Sequence, residues 1–262
     1  MSKIDLNKEY HSLSGVIQSL LIRDMTTNKN IIDNDYNEIS ESIILTPRSL
    51  RSNTENSNRT KDKAEVFTPI HIVDKMNSMV EEEYAKENHS FDEYMDSTRL
   101  EITCGEGVFL ATRYDSETGD IISIQNRKGL LDRKLDALNR HTDSPMEWMS
   151  YAIRICKSIY GYEYQADSLL MARINILYSF IGSYAEKFSK QLPDYFLKNL
   201  SEIIVWNIFQ MDGLTMCIPQ ASVQINKKTK DHIAIDGIPV QIMNWKENKI
   251  ELFKNCGDRN AI

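Results

Sequence analysis

Two glycines stand one residue apart, Gly105 and Gly107, in the segment EITCGEGVFL (residues 101–110). Glycine lets a backbone approach a ligand closely and present its N–H groups. Two carboxylates follow: Glu163 in YGYEYQ and Asp212, just before Gly213, in FQMDGL. A carboxylate at a strand end can accept both hydroxyls of a ribose, and an acid on a neighbouring loop can accept from an adenine amino group. Together these residue types suit one nucleoside-containing cofactor. Each also has a plain structural reading. G-x-G makes a turn, Glu163 is an ordinary strand-end acid, and Asp-Gly is a common turn pair.

Such residues need a frame that brings them to one edge. TRLEIT (98–103) and SIYGYEY (158–164) read as strands, and SEIIVWNIFQ (201–210) reads as a strand buried on both sides. QADSLLMARINILYSFIGSYAEKF reads as a long helix with a wide apolar face. KDHIAIDGIPVQIMNW (230–245) reads as a hairpin turning at Asp236-Gly237. Strand and helix alternate, so an open α/β sheet is the expected class. Ligands of such sheets sit beyond the carboxyl ends of the strands. Each of the three candidate segments falls just after a predicted strand.

Upstream, Thr68 suits a helix N-cap and Pro69 a first helical position. Ile72, Val73, Met76, Met79 and Val80 then recur at helical spacing. Residues 1–62 read as a separate segment. SLSGVIQSLLIRDM suits a short amphipathic helix, and TPRSLRSNTENSNRTKDK suits a linker or mobile loop. The expected division is 1–62 and a domain over 63–262. An insertion around 113–157 is expected to hold a hairpin in RYDSETGDIISI and helices near 129–140 and 145–158.

Bulk properties narrow the choice. The chain has 262 residues, a formal net charge of -7 and 41% hydrophobic residues. That charge argues against a protein that coats nucleic acid non-specifically. Local basic clusters occur at Arg127, Lys128, Arg133, Lys134 and Arg140, and again at Lys227, Lys228 and Lys230. No apolar run reaches the ~18 residues of a membrane span, and the N-terminus lacks an apolar signal-peptide core. The four cysteines are far apart and form no C-x-x-C pair, which argues against a zinc site or a disulfide framework and suits a reducing cytoplasm. No metal site is expected. The nicotinamide fingerprint fails because Leu110 stands where a third glycine belongs, and no Walker loop is present.

The order of these segments resembles the adenine-specific DNA methyltransferases of restriction–modification systems, particularly those related to type I modification subunits. The likeness covers EVFTP (65–69), EITCGEGVFL, YGYEYQADSLLMARINIL (160–177) and NIFQMDGL (207–214). It implies an S-adenosylmethionine-dependent, Rossmann-like three-layer αβα domain. It implies that Phe67, Thr68 and Pro69 line the methionine end of the cofactor and that Thr103, Gly105 and Gly107 form the loop around it. Glu163 would hold the ribose, Tyr164 pack on the adenine, and Asp212 receive the adenine amine. The implied partners are DNA and a specificity, nuclease or second methyltransferase subunit.

Two departures stand out. The insertion lengthens the path from the glycine loop to Glu163. The family's catalytic N-P-P-Y is missing, so no catalytic residue is assigned. After Asp212 the prolines are Pro219 and Pro239, in IPQA and IPVQ, and Asn244-Trp245 supplies an amide and a ring without prolines. A full methyltransferase sheet also needs more strands than can be placed after Trp245. The chain is therefore expected to be reduced, incomplete or dependent on a second chain. The alternative to an enzyme is a cofactor-binding module that acts through a partner protein.

Overall fold

The structure is a computed structural model. It describes residues 2–33, 35, 37–63, 68–219, 223–225 and 232–256. In chain order the helices are α1 (Leu6–Ser12), α2 (Gly15–Leu21), α3 (Asn53–Lys63), α4 (Ile70–Tyr84), α5 (Phe91–Asp96), α6 (Leu130–His141), α7 (Pro145–Ser158), α8 (Ala166–Phe188) and α9 (Asp194–Asn207). The strands are β1 (Arg23–Asp24), β2 (Lys29–Asn30), β3 (Arg99–Glu101), β4 (Ile159–Glu163), β5 (Ile208–Gln210), β6 (Val223–Ile225), β7 (His232–Ala234), β8 (Gln241–Asn244) and β9 (Lys249–Leu252). The protein is mixed α/β.

Its central sheet has the order β3-β4-β5, with both pairings parallel. Side chains alternate across a strand, and the two faces are covered differently. Ile159 and Ile208 join the main core with α8, α9 and α7. On the other face Tyr162 and Phe209 meet Phe253, Ile242 and Val240 in a smaller cluster built on the β8–β9 hairpin.

Two strand expectations are corrected. Residues 201–207 end a helix, and the strand is only Ile208–Gln210. Phe196, Leu200, Ile203, Ile204 and Asn207 are buried at helical spacing behind Pro193 at the N-cap. A continuous apolar run cannot distinguish the two periods. The hairpin expected across Asp236-Gly237 also does not form. β7 pairs with β6, and β8 pairs with β9. The β8–β9 turn closes on Asn244, whose side-chain oxygen accepts from the amides of Lys246 and Glu247, with Asn248 at φ +50°. That Asx turn supplies a local closure that Asp236-Gly237 does not.

Residues 1–62 do not form a separate body. Ile4, Leu6, Tyr10, Ile17, Leu21 and Ile31 are buried in the same cluster as Leu169, Phe180 and Ile208. The amide of Ile4 bonds the carbonyl of Gly119 (2.9 Å), and Arg113 pairs with Glu9 (2.6 Å). The stretch expected to be a linker carries α3, a polar helix held by Arg59 within it and Arg51 just before it. Arg59 pairs with Asp167 at 2.8 Å, and Arg51 reaches the same carboxylate at 3.2 Å.

The strongest tie between the N-terminal segment and the sheet is Arg173 on α8, which is fully buried. Its guanidinium donates to the carbonyls of Ile208 (2.8 Å), Leu21 (2.5 Å), Arg23 (2.8 Å) and Val205 (3.4 Å). Burial brings its pKa down to about 10, while the nearby Asp24 carboxylate works against that shift. Arg173→Met would leave these carbonyls without a donor, at a cost of roughly 3 kcal/mol or more. Urea unfolding should show that loss, and hydrogen exchange should show residues 2–33 loosening first.

Candidate functional site

The parallel order brings all three candidate segments to one edge, the carboxyl ends of adjacent strands. Hydrogen bonding continues past the strands: the Cys104 amide donates to the Tyr162 carbonyl (2.8 Å) and the Met211 amide to the Glu163 carbonyl (3.0 Å). Glu163, buried at the end of β4, accepts from the Gly105 amide through Oε2 (2.8 Å) and from the Gln165 amide through Oε1 (3.0 Å). One carboxylate thus fixes both the glycine loop and the start of α8.

The loop turns sharply. Thr103, Gly105 and Gly107 have φ of +47°, +54° and +78°. For a β-branched residue this region costs on the order of 1–3 kcal/mol, so exposed Thr103 marks real backbone strain at the site. Gly107 is needed for a second reason. A Cβ there would sit 3.3 Å from that of Ala172 on α8.

Glu101 supports the loop from behind. Its oxygens accept from the amides of Phe109 (3.3 Å) and Leu110 (3.2 Å). Burial pushes its pKa up to about 8. The two amides work downward, and the neighbouring Glu163 adds to the rise. Glu106, buried within the loop, accepts from the Arg48 amide (2.8 Å) and the Tyr114 hydroxyl (2.5 Å). Its main-chain oxygen accepts from Asn175 (2.9 Å). Burial raises the Cys104 thiol well above its ordinary range, and its side chain packs above Gly161.

The remaining candidates stand as follows. Asp212 follows Met211 at the same edge, but its carboxylate caps its own loop, accepting from the Leu214 amide (2.9 Å) and the Thr215 hydroxyl (3.0 Å). Gly213 lies against the Tyr162 ring, which a Cβ would approach to 3.0 Å. Tyr164 is 37% exposed at the end of β4. Phe67 lies outside the described residues. Thr68 accepts through its carbonyl from Ser116 (3.1 Å), and Pro69, not Thr68, holds the N-cap of α4. No hydrogen bond joins Thr68 to Gly105 or Glu163 among the described residues.

Asn244-Trp245 is not at this edge. Trp245 donates to Asn207 (2.7 Å), whose amide bonds the Cys156 and Ile159 carbonyls at the amino ends of the strands. The basic cluster around 127–140 is dispersed rather than presented as a face. Lys134 is fully buried on the Met95 and Ser97 carbonyls and Ser158, Arg133 pairs with Asp74, and Arg140 pairs with Asp136. Lys227, Lys228 and Lys230 lie outside the described residues. Among the described residues no helix is long and apolar enough to cross a membrane.

Sequence reasoning passed over Glu101, Glu106 and Asn175. The first two stand inside EITCGEGVFL, and acids in an apolar stretch signal buried carboxylates. Asn175 gave no signal, because only the fold brings it to the loop. No protein-family model, curated protein or solved structure matches the chain.

The raised pKa of Glu101 has a definite sign. Between its unfolded value of 4.5 and its folded value of about 8, the folded chain holds a proton that the unfolded chain has released. Stability therefore falls as pH rises, by up to about 1.4 kcal/mol per pH unit. Denaturant titrations from about pH 5 to 7 should show that slope, and Glu101→Gln should reduce it. Above that window Lys134, brought down to about 7 by burial, contributes in the opposite sense.

Proposed function

We propose that the chain is an S-adenosylmethionine-binding protein of the DNA adenine methyltransferase type. The observation that carries this reading is the contact between the Glu163 carboxylate and the Gly105 amide across adjacent strand ends, with Asp212 on the next strand end. The glycine loop with its close approach to α8, the strand-end acid and the following acidic loop occur in the order and at the edge that a nucleoside cofactor needs. The three-layer Rossmann-like arrangement belongs to this proposal. The sheet described here has helices against one face and the β8–β9 hairpin against part of the other.

In this reading Glu163 binds the ribose hydroxyls, Asp212 orients the adenine through its amine, and Tyr164 offers its ring to the base. The loop at Thr103, Gly105 and Gly107 receives the methionine part, alongside the segment Phe67, Thr68 and Pro69. The sulfonium supplies an activated methyl group and a good leaving group, so the protein's task is positioning. The substrate implied by the resemblance is the exocyclic amine of adenine in DNA, and the implied setting is a restriction–modification or other DNA-modification system.

One observation favours a second reading, a cofactor-binding module that acts through a partner. Asn244-Trp245 sits at the amino ends of the strands, so this amide–aromatic pair is not available to a target base at the cofactor edge.

Calorimetry with S-adenosylmethionine tests the binding claim. Glu163→Gln and Asp212→Asn should each weaken affinity by ~1–3 kcal/mol. Unchanged affinity in both folded variants would remove the assignment. A radiolabelled methyl-transfer assay on unmethylated DNA then separates the enzyme from the module.

A further inference from the structure

The two edges of the parallel sheet are finished differently. The outer side of β5 is covered: Gln210 exchanges hydrogen bonds with the Ile32 peptide (2.9 and 2.7 Å), and Arg173 takes the Ile208 carbonyl. The outer side of β3 has no strand beside it, and among the described residues no group bonds the peptides of Arg99–Glu101 from that side. β3 is only three residues long, and Arg99 and Glu101 turn their charges inward, but it carries no proline, lysine or bulge. Ile102, the next residue, is 62% exposed.

A cleft of about 340 Å³ opens beside the same strand, at the amino end of the sheet. Thr98, Leu100 and Tyr160 line it from the sheet, and Met243 and Trp245 line it from the hairpin. Its charges are unbalanced. The acids in its wall are engaged, Asp96 by Arg154 (2.7 Å) and Glu251 by Lys249 (3.0 Å). Lys157, poised 5.0 Å over the Trp245 ring, and exposed Lys246 have no carboxylate partner among the described residues.

We propose that this edge and cleft form a docking site for an extended strand of a partner protein. The open peptide groups of β3 take the strand's backbone. The cleft takes its apolar side chains on alternate residues, and Lys157 and Lys246 take an acidic side chain beside them. A free small molecule would use the cleft but leave the open peptides unexplained, whereas a strand satisfies both. The cleft lies at the amino end of the sheet, away from Glu163, so the docking site stands whether or not the cofactor reading does.

The test uses the full chain and a synthetic heptapeptide that alternates glutamate with valine or isoleucine. Saturating peptide should slow amide exchange at residues 99–102 and shift Trp245 emission. Ile102→Lys, at an exposed position, should weaken binding by about tenfold. Lys157→Glu with Lys246→Glu should switch preference to the lysine-alternating peptide while leaving S-adenosylmethionine calorimetry unchanged. No slowing at 99–102, or equal binding of a peptide of the same composition with its residues in blocks, would overturn the proposal. So would decanoate filling the cleft with β3 exchange unaltered, which would make it a small-molecule pocket. A dimer that Ile102→Lys dissolves would give the edge to a second copy and would also overturn it.

Discussion

The hydrogen bond from the Gly105 amide to the Glu163 carboxylate is the constraint around which the candidate site is arranged. It joins the loop after β3 to the end of β4, and the second oxygen of the same carboxylate starts α8. The loop can then hold left-handed backbone at three of five positions, because its ends are fixed from both sides. Glu101 holds the outgoing turn from beneath, and Glu106 holds the middle of the loop against Tyr114 and Arg48. Three buried acids thus serve one short segment. Each is bonded to backbone or hydroxyl donors, as buried polar groups require. The strain at Thr103 persists because the surroundings over-determine it.

The N-terminal quarter of the chain is part of that support. Arg48 reaches the glycine loop, and Arg51 and Arg59 converge on Asp167 beside the start of α8. Burial alone would raise the Asp167 carboxyl, but the two arginines overcome it and hold the group below its usual range. Arg173 binds the same N-terminal segment to β5 from inside the core. Wrapping of this kind turns a small three-stranded sheet into one with a closed edge at β5 and an open one at β3.

Charge in this protein acts chiefly within the fold. The basic run near 127–140 looks like a surface in sequence, yet Lys134 sits in a cage of oxygens and Arg133 ties α6 to α4. On α4, Val73 and Asn77 face inward, while Ile72, Met76, Met79 and Val80 remain at least one-third exposed. Of the apolar stripe read from helical spacing, only Val73 is on the buried face. Asn77 takes the inward position because its amide serves the Phe109 and Lys128 carbonyls.

The sequence by itself determined the local elements with strong periodicity or clear end signals. The helices α6, α7 and α8 and the strands β3 and β4 lie where apolar spacing and capping residues put them, because those preferences act within a few residues of chain. It also picked out Gly105, Glu163 and Asp212 as residues of one edge. Only the tertiary structure decided that 201–207 is helical, that β7 pairs with β6 and that β8 pairs with β9, since an apolar run fits either period until a neighbour chooses one. Only the tertiary structure folded residues 1–62 into the core, turned the Asp212 carboxylate into its own loop and sent Asn244-Trp245 to the far end of the sheet. Those outcomes rest on hydrogen bonds between residues far apart in the chain, which leave no mark in local composition.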